Sequence, residues 1–426
     1  MKIHDLTKRG AALALIIALT LSCAPGLADG GSVRVGESSV INESAQKQAA
    51  EDELGSLVPL GEVSASQPAV DDGPVSVGSY ETYVGRETII PGRTETGIAL
   101  QTYEANHAAE EGIAPFTGLP DAGKPFTPIT VTIDGNVESY PHWGVGDADI
   151  VLQVPNQGGG DTKLMFVFGN TYPDEVGPAR SARATMVPVA AMFNAAYVYA
   201  GQAPVKGHNI EAESLMRDYG IRGSGKSFNL LNNPHLSERV NFAVSPVNLS
   251  VHLSKVRDEL ISGGVSFTKF PFLFTDEPRV SGDSATWIKF HHYGEQKKES
   301  DNKKSRASFY YDAERGGYYH LNNRDEIDSE RMTGEKILFA NVIVLRTPLK
   351  YQQYGENIYV YYENHLIGSG VAEIFQNGRY VQGAWVRESG TSRLVLVDED
   401  GQELKMQRGR TFIVITNAVT DVLYKN

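Results

Sequence analysis

After Pro115 the chain is a succession of apolar, β-branched runs only four to nine residues long, closed by Gly, Pro, Asn or Asp. Runs this short suit strands better than free-standing helices. Residues 129–133, 150–154, 163–168 and 195–200 are read as strands. Residues 180–194 are read as a helix that starts after Gly177-Pro178 and bends at Pro188. Residues 209–219 and 251–261 carry amphipathic helical spacing. That alternation predicts an α/β layer over 114–265. From 282 to 426 strands dominate, at 286–291, 307–311, 318–321, 341–345, 357–362, 370–376, 380–388, 393–397 and 411–416. Asn377-Gly378 and Asp400-Gly401 lie between such runs and mark tight hairpins, because those pairs tolerate positive φ. The fold class expected is α+β overall: an α/β domain, then a β-rich domain.

The N-terminus has the organisation of an export signal over 1–28. Lys2, Lys8 and Arg9 precede an apolar run at 11–21, too short for the ~20 residues a membrane span needs. Two processing routes follow. Thr20-Leu21-Ser22-Cys23 resembles a lipobox in which Cys23 becomes the lipidated N-terminus, although Thr20 stands where Leu is usual. An ordinary signal peptidase could instead cut after Ala28. Cys23 is the only cysteine, so intrachain disulfides and thiolate metal sites are excluded. Residues 29–113 hold fifteen acidic residues and four basic ones, −11 of the net −13, without a helical or strand period. They are read as a disordered acidic tether. The acidic balance also argues against nucleic acid as a partner.

The loudest motif is Gly220–Ser227, which matches the phosphate-loop pattern letter for letter. That chemistry needs a strand before the loop and a helix after it. Here a predicted helix precedes it and Phe228–Pro234 is a poor helix, so no nucleotide is expected. Gly158-Gly159-Gly160 joins two strands and reads as a turn or bulge. His291-His292 is the only adjacent histidine pair, and no HxH or HExxH spacing occurs, so neither metal nor cofactor is expected. Gly368-Ser369-Gly370 lacks the spacing of a serine nucleophile elbow. The strongest candidate is Val176–Arg183. Arg180, Ser181 and Arg183 open the predicted helix, where two guanidinium forks could hold a carboxylate or phosphate. The alternative is that both arginines pair with Asp134, Asp149 or Asp174 and brace the fold.

At these residues the chain resembles the YerB-like lipoprotein family, a two-part domain of unknown function. The N-terminal part is carried by Pro115–Pro120, Val131–Asn136, Gly146–Val151 and Val176–Arg183. The C-terminal part is carried by Asn341–Val344, Gly368–Gly370, Gln376–Gly378, Gly383–Trp385, Asp398–Gly401 and Phe412–Ile415. The resemblance implies an exported, usually lipid-anchored protein with an α/β part followed by a β part, and no established activity. It also marks departures. Gln153 and Gln157 stand where the family has glutamates, Lys163 where it has arginine, Tyr199 and Val247 where it has histidines. Glutamine keeps the size of glutamate but cannot act as a base or hard metal ligand.

Two functions fit these observations. One is a binding or scaffold protein for a polar or anionic envelope ligand, held to the membrane by its lipid. The other is a hydrolase of an envelope polymer or peptide. Convergence of Asp134, Asp149, Arg180, Arg183 and His208 in one pocket would favour the second.

Overall fold

The computed structural model describes residues 77–426 apart from 122, 158–160, 207–208, 293–305 and 323. Cys23, the signal sequence, tether residues 29–76, the triple glycine, His208 and the polar insertion at 297–304 therefore lie outside the described residues.

An eleven-stranded sheet runs through both parts of the chain. Its order is Asp283–Ser284, Arg379–Arg387, Gly368–Gln376, Asn341–Thr347, Thr411–Asn417, Ile150–Pro155, Thr162–Phe168, Ile129–Asp134, Ala196–Tyr199 and Ser227–Asn229. Val395–Val397 pairs beside Arg379–Arg387. The seam is a parallel pairing, Thr411 opposite Ile150 and Val414 opposite Gln153. Thr411–Asn417 also pairs in parallel with Asn341–Thr347. The two parts thus share one sheet. All six residues of Ile150–Pro155 and all seven of Asn341–Thr347 are buried, which explains the apolar runs Ile150–Leu152 and Val342–Leu345.

A second, six-stranded antiparallel sheet covers one face. Ile288, Phe290 and Phe309 from it pack with Val131, Phe166, Val342 and Val344 of the central sheet. The opposite face buries Leu152, Met165 and Ile343 against the helices Val187–Met192 and Ala212–Asp218. Together with Leu253–Ser262 these are the only α-helices among the described residues. The architecture is mostly β with few helices, and the α/β layer expected for 114–265 is not clearly realised.

Two expectations are corrected. The helix predicted over 180–194 is confined to Val187–Met192, with Pro188 in its first turn rather than at a bend. Its first half is extended because its backbone is used by the sheet. Asp134 N–H donates to Pro178 O, Arg180 N–H to Thr132 O, and Ala182 N–H to Gly201 O, at 2.9–3.0 Å. The second correction concerns 77–113, assigned to the tether. These residues form a strap across the fold. Glu87–Ile90 pairs with Val422–Lys425, and Lys425 Nζ donates to Tyr80 O at 2.6 Å and Tyr83 O at 3.0 Å. Arg393 Nη2 donates to Glu104 O at 2.8 Å, and His107 Nε2 meets Glu403 Oε2 at 2.8 Å. The strap is held by its backbone and a few anchors such as Tyr80 and Ile90, so no hydrophobic period appears in its sequence.

Candidate functional site

Seven strands of the central sheet run in one direction: Arg379–Arg387, Asn341–Thr347, Thr411–Asn417, Ile150–Pro155, Ile129–Asp134, Ala196–Tyr199 and Ser227–Asn229. Their carboxyl ends form one edge, the place where open parallel sheets offer crevices to ligands. A cavity of about 220 Å³ lies there, lined by Gln157, Ser181, Arg183, Gln202, Glu356 and Tyr359 among others. Each side chain arrives from the end of an element. Gln157 follows Ile150–Pro155 and is bridged through its backbone to Tyr359. Gln202 follows Ala196–Tyr199 and is bridged to Ala182. Glu356 and Tyr359 belong to the hairpin Leu349–Tyr354 and Asn357–Tyr362, which begins just after Asn341–Thr347. Gly355, at φ 61°, lets that hairpin turn over the cavity.

Arg183 is the cation of this cavity and is only 4% exposed. Its Nη1 donates to Ala182 O at 2.9 Å. Burial pulls its pKa down, while the nearby Tyr359 and Tyr197 act the other way. A guanidinium in such a low-dielectric wall attracts an anion far more strongly than one in water.

Arg180 does something else. Its Nε meets Asp134 Oδ2 at 2.7 Å, with Asp134 fully buried. Asn136 N–H donates to Asp134 Oδ1 at 2.8 Å, and Lys163 stands opposite Asp134 in register. Burial pushes the Asp134 pKa up, but Lys163, Arg180, the Asn136 N–H and His142 outweigh it and hold the carboxylate below its ordinary range. Burial also brings Lys163 down to about 8 against the pull of Asp134. This cluster braces the end of the Ile129–Asp134 strand. Thr132, on the same strand face as Asp134, bonds Tyr197 Oη at 2.8 Å, and Tyr197 adjoins Arg183. Brace and cavity are therefore neighbours.

Comparison with known proteins now has a geometry to stand on. The family described as "Protein of unknown function (DUF3048) N-terminal domain" matches residues 116–265, and its C-terminal domain matches 298–413. The chain belongs to the two-part DUF3048 family. A relative from Bacillus subtilis (strain 168), named "Putative lipoprotein YerB", is 25% identical over 309 residues, 71% of this chain and 85% of the relative. The crystal structure of YerB protein from Bacillus subtilis superposes with a TM-score of 0.59 at 21% identity. That likeness covers 74% of this chain and 99% of the other, and it concerns the fold.

On this DUF3048 scaffold the candidates named from the sequence separate. Ser181 and Arg183 line the cavity, and Asp134 and Arg180 form the brace behind it. Asp149 is elsewhere. It precedes the Ile150–Pro155 strand, and its Oδ2 accepts from Gly169 N–H at 2.6 Å. Ile129 pairs with Phe168 and Asp134 with Lys163, so about five strand residues, roughly 16 Å, lie between the two carboxylates. Burial raises the Asp149 pKa to about 6, against the Gly169 N–H and Arg410. The arginines also do not share a helix start, because that helix begins at Val187.

The residues that depart from the DUF3048 pattern scatter too. Gln157 is on the cavity, while Gln153 Nε2 donates to Thr162 Oγ1 at 3.0 Å inside the sheet. Tyr199 Oη meets Ser227 Oγ at 3.2 Å beside a separate polar pocket. Among the described residues no group of three or more His, Cys, Asp or Glu side chains is arranged to hold a metal. The phosphate-loop look-alike follows the helix Ala212–Asp218 and precedes the strand Ser227–Asn229, the reverse of the phosphate-binding frame. Lys226 Nζ donates to Asn194 Oδ1 at 2.8 Å and lies 4.6 Å from the centre of the Phe267 ring. Sequence reasoning missed Gln202, Glu356 and Tyr359. The available signal was Gly355 between two tyrosine-bearing runs, a turn that would have announced the hairpin.

Proposed function

We propose that this protein is an exported, lipid-anchored binding protein of the cell envelope, and that it holds a small anionic or polar ligand on Arg183. The observation that carries this reading is a buried guanidinium facing a cavity at the carboxyl edge of a parallel sheet. Ser181, Gln157 and Gln202 add donors and acceptors that fix orientation without carrying charge. Apart from Glu356, exposed at the mouth, the polar side chains beside Arg183 support binding rather than turnover. Glutamines do not exchange protons near neutral pH, and arginine is never deprotonated there. The anchor reading rests on Cys23 in its lipobox-like setting and on the name of the relative YerB.

Calorimetric titration of the folded chain with small peptide carboxylates tests the ligand reading. Arg183→Ala should remove binding, at about 1.5–3 kcal/mol for each charged hydrogen bond lost. Undiminished affinity in that variant, or multiple turnovers of a peptide or phosphoester by wild type, would overturn it. The anchor is tested by fractionating cells that express Cys23→Ala. The variant should leave the membrane fraction, because each acyl chain contributes ~0.8 kcal/mol per buried CH₂. An unmodified mature chain beginning at Asp29 would refute lipidation.

A further inference from the structure

The ligand class can be narrowed from the two charges on the cavity. Among its lining residues Arg183 is the one basic side chain and Glu356 the one acidic side chain. They come from different elements, Arg183 from the wall before the helix Val187–Met192 and Glu356 from the tip of the covering hairpin. Arg183 is buried, whereas Glu356 is exposed at the mouth. Between them stand neutral groups with amide and hydroxyl character: Gln157, Gln202, Ser181 and Tyr359. A simple anion would gain from Arg183 and be repelled by Glu356, so the second charge makes no sense for a phosphate or a dicarboxylate. The volume, about 220 Å³, suits a small organic molecule or the end of a short chain.

We propose that the site takes a zwitterion, a free amino acid or a short peptide of small residues, with its carboxylate on Arg183 and its ammonium at Glu356. This rests on the reading of Arg183 as the anion-binding group and adds Glu356 as a specificity-determining residue. The carboxylate enters first and deepest, where the low dielectric makes the charge-assisted bonds strong. The ammonium stays near solvent, so its pairing with Glu356 selects rather than anchors. Gln157 and Gln202 supply the acceptors and donors that a peptide bond between the two ends would need.

The probes are alanyl-alanine, N-acetyl-alanyl-alanine and alanyl-alanine amide, titrated calorimetrically into the full folded chain at neutral pH. Wild type should bind alanyl-alanine, bind the acetylated form about fivefold more weakly, and bind the amide at least about tenfold more weakly. Glu356→Gln should weaken alanyl-alanine and slightly tighten the acetylated form, whose lone carboxylate no longer meets a like charge, so that the two bind alike. Its exposed position in a turn keeps the fold intact, which an unaltered melting temperature checks. Equal affinity for free and acetylated peptides, or no effect of Glu356→Gln, overturns the zwitterion proposal and leaves the role of Arg183 standing. Loss of every carboxylate preference, with Arg183→Ala indistinguishable from wild type, overturns the Arg183 reading itself. No binding of alanyl-alanine at millimolar concentration also overturns the proposal.

Discussion

Two buried arginines, Arg346 near the carboxyl end of the strand Asn341–Thr347 and Arg183 on the cavity, have similar burial and different surroundings. Arg346 is saturated. Its Nε donates to Glu373 Oε1 at 2.6 Å, Nη1 to Thr420 O and Ala418 O, and Nη2 to Ile90 O at 3.5 Å. Tyr380 Oη occupies the other carboxylate oxygen at 2.7 Å. One guanidinium thus joins the strap, the C-terminal turn and the sheet. Arg183 donates to Ala182 O at 2.9 Å and also lines a cavity. Burial alone therefore does not separate a structural cation from a binding one. A cavity within reach does.

The comparison is broken most directly at Arg346. Arg346→Ala leaves Glu373 buried with only the Tyr380 hydroxyl, and should destabilise the fold by about 3–5 kcal/mol in a denaturant melt. Replacing both partners by apolar residues, Arg346→Met with Glu373→Leu, should recover much of that loss, since no isolated charge remains. A single variant that melts like wild type would show that the strap and the C-terminal turn are held by something else.

The next effect separates the two arginines that the sequence set side by side. Arg180→Ala leaves Asp134 with Lys163 and should cost about 2–3 kcal/mol, less than a fully broken pair. Ligand affinity should change little. Arg183→Ala should do the reverse, with binding lost and a small change in melting temperature. If both variants lose stability and neither loses affinity, Arg183 is a brace like its neighbour.

Strands are more legible in the sequence than the site is. Runs such as Ile129–Asp134 and Thr411–Asn417 announce themselves because β-branched and aromatic residues fill both buried faces, and Asn357–Tyr362 does so through its tyrosines and β-branched residues. Asn377 and Gly378, at φ 50° and 69°, form the tight turn their chemistry predicts. What stayed hidden depends on distant pairings. The helical spacing at 180–186 is overridden by hydrogen bonds to Thr132 and Gly201, and the strap hides because its partners lie some 300 residues away. The cavity hides for the same reason, since the extended 180–183 segment and the hairpin after Asn341–Thr347, about 170 residues apart, supply its walls.

A smaller effect tests the opposite end of the sheet. The Asp149 pKa rises from 3.8 to about 6 on folding. A carboxyl raised in the folded state costs nothing while both states are protonated, below about pH 4. The cost grows as the pH climbs from there to about 6 and is complete above it. Asp149→Asn keeps an acceptor for the Gly169 N–H and carries no charge. It should therefore match wild type at pH 4 and exceed it at pH 7 by about 1–2 kcal/mol, within the ~1.4 kcal/mol that one pKa unit represents for each of about two units. Melting curves across that range check it. A variant less stable at pH 7 would mean that Arg410 needs the carboxylate, and the amino edge would then hold an ion pair as the carboxyl edge does.

The smallest effect belongs to Lys226, the lysine of the phosphate-loop look-alike. Its ammonium has one hydrogen bond to Asn194 and one face-on contact with Phe267, both half-exposed. Such contacts contribute roughly 0.5–1 kcal/mol at an exposed site. Lys226→Ala should lower the melting temperature by no more than a few degrees and leave the affinity for peptide carboxylates unchanged. Burial draws its pKa down, a desolvation that the contact with the Phe267 face works against. The Gly-rich loop gains nothing from phosphate here, because Gly220 ends a helix at φ 68° and the residues after Lys226 enter a strand, so no helix N-terminus faces the loop. Micromolar binding of ATP by wild type, abolished in Lys226→Ala, would contradict this and move the ligand site from Arg183 to the helix–loop–strand turn.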